Sequence, residues 1–213
     1  MAQVRPIRLP VQARARRSHA ERTAETRARV IEAVFESIAE GGFARATASE
    51  ITRRAGVTWG AVQHHFGGKH GLLVAVVEDS FNRFAARLEG IPVEGVPLAA
   101  RVSDFIDRAW QHFASREYRS TFEILLNNLG REDAGGDSPT WQGSMFRAWD
   151  GIWMRLFHDA AIARRRHIVV EHYVISTLSG LASTLVLEGA DARLRAEELD
   201  ILKNVLLHEL TLL

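Results

Sequence analysis

Between Thr47 and Lys69 the sequence gathers residue types that read and grip a nucleic acid. The Gln63 amide can pair with adenine through two hydrogen bonds, and the Ala61 methyl can touch that of a thymine. Trp59 opens the same short predicted helix, whose first turns reach base edges, and Gly60 lets the backbone come close. Thr47, Thr58, His64 and Lys69 are phosphate-binding by type. Thr47, Thr58 and Lys69 also stand at predicted helix N-termini, where amides and the helix dipole favour anions. Enzyme chemistry finds no comparable constellation. The nine His and the carboxylates form no metal-ligand spacing, and no phosphate loop or nucleophile motif is present. His64-His65 is not a metal pair, because adjacent residues point to different faces of a helix. The reading is therefore of a non-enzyme, with no cofactor and no metal.

Local signals place these residues. Thr47-Ala48-Ser49-Glu50 reads as a capping box, the Thr47 hydroxyl meeting the Glu50 amide and the Glu50 carboxylate reaching back. Ile51 and Ala55 face inward, Gly56 permits a left-handed stop, Val57 enters the core and Thr58 caps the next helix. Two short helices around a glycine turn make a helix-turn-helix, whose second helix fits the major groove. A helix with apolar residues Val30, Ile31, Val34, Phe35 and Ile38 precedes it, from Thr23 to Gly41, and a long helix follows from Lys69 to about Leu88.

From Phe43 to Leu73 the segment closely resembles the TetR family of bacterial transcriptional regulators. Gly42-Phe43, Thr47, Ile51, Ala55-Gly56-Val57, Gly60, His65-Phe66, Lys69 and Leu72-Leu73 carry the match, which extends over residues 24–84. The run from Trp59 to Phe66 is a variant of that family's recognition helix. Many relatives have Tyr where this chain has Gln63, and an acid where it has His70. Those departures leave the fold intact and the operator sequence open. The resemblance implies a homodimer on a roughly palindromic double-stranded operator, and a small-molecule effector held in the body.

Charge is unevenly spread. Residues 1–70 hold 12 Lys+Arg and 6 Asp+Glu, net +6, and the remainder holds 15 basic and 20 acidic residues, net −5. A basic head on an acidic body suits a polyanion partner at the N-terminal end. Residues 1–23 read as a basic flexible tail that includes Arg5, Arg8, Arg14, Arg16 and Arg17, with no apolar run of a secretion signal. There is no Cys, so disulfides and thiolate sites are excluded. The most apolar stretch, Ile168 to Leu187, is broken by Glu171, His172 and several Ser, which argues against a membrane span. A cytoplasmic protein is expected.

The fold reads as all-α, with about nine helices: residues 24–84 form the DNA-binding head and 85–213 an effector-binding and dimerisation body. Pro92, Gly95 and Pro97 punctuate the boundary. Helices are expected over Leu98–Ala114, Glu117–Leu129, Ser138–Ala163, Arg165–Glu188 and Ala196–Leu212, with a loop over Gly130–Ser138. Phe105, Trp110, Phe113, Phe122, Met145, Trp149 and Trp153 are candidate lining for an apolar or aromatic ligand, against the plain alternative of a filled core. Leu178, Leu181, Leu185, Leu199, Leu202, Leu206 and Leu210 are candidates for a four-helix interface between two subunits, since the last helices carry more apolar surface than one core-facing stripe needs. The expected function is a repressor released from its operator by a largely apolar ligand. The alternative is a regulator of the same fold that answers to a protein partner or to no effector.

Overall fold

A computed structural model describes residues 18–129, 141–188 and 192–212, and among these every regular element is helical, with no strand. The first helix, α1 (His19–Gly41), starts earlier than expected. Ser18 accepts from the Glu21 amide while the Glu21 carboxylate accepts from the Ser18 amide, a reciprocal cap that sets the start. The expected tail over residues 1–23 is thus shortened at its C-terminal end, and residues 1–17 lie outside the described residues. A short 3-10 turn (Phe43–Arg45) leads to α2 (Ala48–Ala55), α3 (Trp59–Phe66) and α4 (Lys69–Glu89). Gly56 takes the left-handed conformation between α2 and α3, φ 64° and ψ 40°. Val30, Val34, Phe35, Ile38, Ile51, Val62, Leu72 and Val76 close over one another as the head's core.

The body contains α5 (Leu98–Phe113), α6 (Arg116–Ile124) with a π-helical turn (Leu125–Leu129), α7 (Trp141–Phe157), α8 (Arg164–Glu188) and α9 (Ala192–Thr211). Helix α7 ends at Phe157, short of the expected Ala163, and Arg101 supplies the reason. Its buried guanidinium donates to the Leu156 carbonyl and grips Asp159 at 2.8 and 2.6 Å, which satisfies the helix end and turns the chain. The expected Ser138-Pro139 cap and the loop before it lie outside the described residues. Helix α9 begins at Ala192 rather than Ala196.

Helix α4 serves two cores. Leu72, Leu73, Val76 and Val77 belong to the head, while Phe84 and Leu88 belong to the body with Phe105, Trp153, Phe157, Val174 and Leu206. Helix α6 joins the same two regions. Its Ile124 is part of the head's core, Arg116 reaches Glu32 of α1 at 2.7 Å, and Ser120 donates to the Phe35 carbonyl at 3.4 Å.

The expected interface leucines require correction. Leu178, Leu199, Leu202, Leu206 and Leu210 are buried inside the protomer, Leu181 packs partly buried against the same core, and Leu185 lines a cavity. The five buried leucines already have their apolar partners and are the ones corrected, whereas Leu181 and Leu185 keep part of their surface exposed. The outward face of α8 instead carries Ile168, Val169 and Tyr173, with Ser176, Gly180 and Ser183 further along, and that of α9 carries Leu194 and Ile201, with Leu212 exposed just past its end. By length and composition alone, one described helical stretch (residues 164–185) is long and apolar enough to cross a membrane. Val170, Val174 and Leu178 from that stretch pack into the body's core.

Candidate nucleic-acid interface and ligand cavity

Helices α2 and α3 each open on a threonine cap. Thr47 caps α2 by accepting from the Glu50 amide at 3.2 Å, and Thr58 caps α3 by accepting from the Ala61 amide at 3.2 Å. Both threonines stay exposed, and a hydroxyl that accepts one bond keeps its own proton for a phosphate. The reciprocal half of the expected capping box is missing. The Glu50 carboxylate instead takes Arg53 at 2.7 Å and Arg54 at 2.5 Å, hydrogen bonds that hold it down to about 2. Glu50 therefore stays anionic and restrains two arginines of α2.

Along α3, Val62 and Phe66 are buried, while Gly60, Gln63 and His64 face solvent and Ala61 is half-buried. Trp59 is half-buried and packs against the head's core, so part of its surface serves the fold. The Arg27 guanidinium lies 4.4 Å from the Phe66 ring centroid and also reaches the His65 carbonyl, fixing the end of α3 against α1. Lys69 is exposed at the start of α4, its ammonium 5.7 Å from the Phe43 ring centroid. Of the positions proposed from sequence for base reading and phosphate binding, Thr47, Thr58, Gly60, Gln63, His64 and Lys69 are exposed, while Trp59 and Ala61 are half-buried.

The body contains a cavity of about 270 Å³ between α4, α5, α6, α7 and α8. Of the seven lining candidates, Phe113, Phe122, Met145 and Trp149 line it. Phe105, Trp110 and Trp153 do not, a correction with a structural cause. Phe105 and Trp153 are fully buried in the core, Trp153 donating to His167 Nδ1 at 3.2 Å, and Trp110 packs on that core with the Arg195 guanidinium 5.3 Å from its ring centroid.

Sequence reasoning missed Phe84, His112, Tyr118 and Thr121 among the lining residues. Phe84 is sandwiched between His112 at 4.6 Å and Trp149 at 5.0 Å, ring centroid to centroid. Burial, aided by the Arg87 charge, pushes His112 down to about 4, so it is neutral at pH 7. Tyr118 donates to Ser179 Oγ at 2.8 Å and stacks on Phe122. That i, i+4 aromatic pair was visible in the sequence. A second cavity, about 550 Å³, shares Phe113, Tyr118 and Phe122 and adds the charged Arg116, Arg119 and Glu123.

Glu171, which interrupts the most apolar stretch of the sequence, is buried. Burial and Asp150 raise its carboxyl to about 7, against the lowering effect of Arg164.

A helix-turn-helix head on an all-helical body with an aromatic cavity defines a DNA-binding regulator, and comparison with known proteins agrees. Residues 30–76 match bacterial regulatory proteins of the tetR family. Over 183 residues the chain is 45% identical to the HTH-type transcriptional regulator BetI of Escherichia coli O17:K52:H18 (strain UMN026 / ExPEC), covering 68% of this chain and 93% of that one. A transcriptional regulator from Rhodococcus sp. Rha1 shares the fold with a TM-score of 0.68 and 21% identity, over 88% of this chain and 98% of that one. The transcriptional regulator FadR from Bacillus subtilis, solved in complex with stearoyl-CoA, gives a TM-score of 0.63 at 17% identity, over 86% of this chain and 97% of that one. The chain belongs to the TetR family of transcriptional regulators.

Proposed function

We propose that this regulator is a homodimeric repressor, released from a roughly palindromic operator by a small, largely apolar molecule bound in the cavity beneath α4. Gln63 and Ala61 read bases, Trp59 and Gly60 approach them, and Thr47, Thr58, His64 and Lys69 hold phosphates. One observation carries the control mechanism: Leu125 and Met145 line the cavity and also pack against the head's core. A ligand that displaces either side chain therefore acts on the head directly, besides any tilt of α4. The switch requires the ligand to prefer the DNA-free conformation, and the coupling is then reciprocal. The acyl-CoA complex of the Bacillus subtilis relative supports an effector role for a body of this shape. Absence of cysteine and the DNA target suit a cytoplasmic protein.

The test is a pair of titrations. Apolar compounds are screened for a rise in melting temperature, and the best binder is titrated into the protein with and without operator. The proposal expects weaker ligand binding in the presence of operator. Equal affinities would remove the switch and leave a DNA-binding dimer.

A further inference from the structure

The inner cavity is apolar but not featureless. Trp149 is 5% exposed and Ser80 is 2% exposed; both line the cavity, and neither the Trp149 Nε1 nor the Ser80 Oγ has a hydrogen-bond partner. Buried polar groups are nearly always paired, so two orphans on residues that line one cavity leave hydrogen-bonding capacity unmet next to it. The indole N–H is a donor only. The Ser80 hydroxyl has a proton to donate, and the Ser179 hydroxyl, which accepts from Tyr118, keeps its own.

Charge is missing from the same wall. Among its described lining residues there is no Asp, Glu, Lys or Arg, and His112 is held neutral by its burial. Arg116, Arg119 and Glu123 are confined to the outer cavity, beyond the shared Tyr118–Phe122 pair. A carboxylate or ammonium placed there would give up hydration against an apolar wall and meet no counter-ion among the described lining residues.

We infer that the inner cavity takes a neutral, apolar or aromatic molecule bearing a carbonyl-type acceptor, for which Trp149 and Ser80 hold the unpaired donors. This deepens the ligand-released reading and rests on it for its biological use. The volume of about 270 Å³ is near the lower end of small-molecule sites and suits a compact ring system. Phe84, held between His112 and Trp149, keeps the indole in place as a preformed wall.

Four naphthalenes of similar size test the idea by calorimetry on the full chain: acetonaphthone, ethylnaphthalene, naphthoate and trimethyl(naphthyl)ammonium. Acetonaphthone should bind tightest, about tenfold tighter than ethylnaphthalene, as expected for one hydrogen bond to an otherwise unpaired buried donor. Trp149→Phe keeps a ring against Phe84 but removes the N–H, and should close that gap while leaving ethylnaphthalene binding unchanged. Ser80→Ala, a smaller change, should narrow the gap. The inference is overturned if naphthoate or the ammonium binds tightest, if ketone and hydrocarbon bind equally, if none of the four binds, or if the gap survives in Trp149→Phe. Failure of the repressor reading looks different: acetonaphthone then binds as expected, and its affinity is the same with and without operator.

Discussion

The Phe43 backbone amide donates to Glu123 Oε2 at 2.8 Å, so the turn that follows α1 in the head is held by a side chain of α6 in the body. Glu123 is half-buried and Ile124, its neighbour, is inside the head's core. Head and body are therefore joined by a directional bond next to an apolar plug, beside the cavity that Phe122 and Leu125 line. A charge-assisted bond of this kind is worth about 1.5–3 kcal/mol. Glu123→Ala should lower unfolding stability by about that amount, measured by urea titration. It should also reduce the mutual weakening of ligand and operator, because α6 loses its grip on the turn before α2.

Lys69 and Gln63 are both exposed, and the proposed function gives them different tasks. Lys69→Ala should weaken binding to every sequence and flatten its salt dependence, as loss of a phosphate contact does. Gln63→Ala should relax preference at one base pair of each half-site, at a cost of about 1–3 kcal/mol per half-site. Binding measured on operator and on random DNA at several salt concentrations separates the two. Equal losses on both DNAs would remove the division between holding and reading residues.

Two adjacent residues of α9 should respond in opposite ways to the same substitution. Ile201 is 64% exposed and Leu202 is 2% exposed. Ile201→Glu should leave the protomer folded and shift a native-size measurement from dimer to monomer. Leu202→Glu places a charge in the body's core and should cost about 3–5 kcal/mol, as for other uncompensated buried charges, enough to give insoluble or unfolded protein. A folded Ile201→Glu dimer would move the subunit interface elsewhere.

The same pair shows what periodicity reveals and what it hides. Both stripes of α9 were visible as apolar rows, but a row of leucines at helical spacing looks the same whether it meets its own core or a second chain. Only the packing of α5 and α8 against α9 decides that, and those contacts join residues far apart in sequence. The cavity shows a similar limit. Met145, Trp149 and Trp153 share one face of α7, yet Trp153 finds His167 as partner and closes into the core, while Trp149 keeps an unpaired N–H. The head was more legible, because Thr47, Gly56 and Thr58 act on their immediate neighbours. Even there, Glu50 turned to Arg53 and Arg54 rather than to the Thr47 amide, since nearby cations bind a carboxylate strongly.

Gly60 and Gly71 are both helical glycines, and only one is required by the fold. A Cβ on Gly71 would lie 2.0 Å from the Phe66 carbonyl oxygen, whereas one on Gly60 would meet only Thr58 Oγ1 at 3.8 Å. Gly71→Ala must therefore push α3 and α4 apart and should lower the melting temperature and operator binding together. Gly60→Ala should leave the melting temperature within a degree or two, as for an ordinary surface substitution. Any loss of operator affinity in that variant then reports crowding at the DNA.

Two buried groups titrate in opposite directions and should mask each other. Glu171 rises from 4.5 to about 7 in the folded chain, so between those values the folded state holds more protons than the unfolded one. Its contribution is fully present below about pH 4.5 and is lost as pH rises towards 7. His112 falls from 6.5 to about 4, so in an overlapping window the unfolded state holds more protons. Its contribution is fully present above pH 6.5 and is lost as pH falls towards 4. The net slope of stability between pH 5 and 6.5 should accordingly be shallow in the unaltered protein, as far as these two groups decide it. Glu171→Gln removes one side of the balance. Its stability should rise with pH across that window, and at pH 8 it should exceed that of the parent, where an ionised Glu171 is buried beside Asp150. The gain is at most about 3 kcal/mol, the energy of a shift of this size. Urea unfolding of both proteins from pH 5 to pH 8 measures it. A difference between them that does not change with pH would mean that Glu171 keeps an ordinary carboxyl pKa in the folded chain.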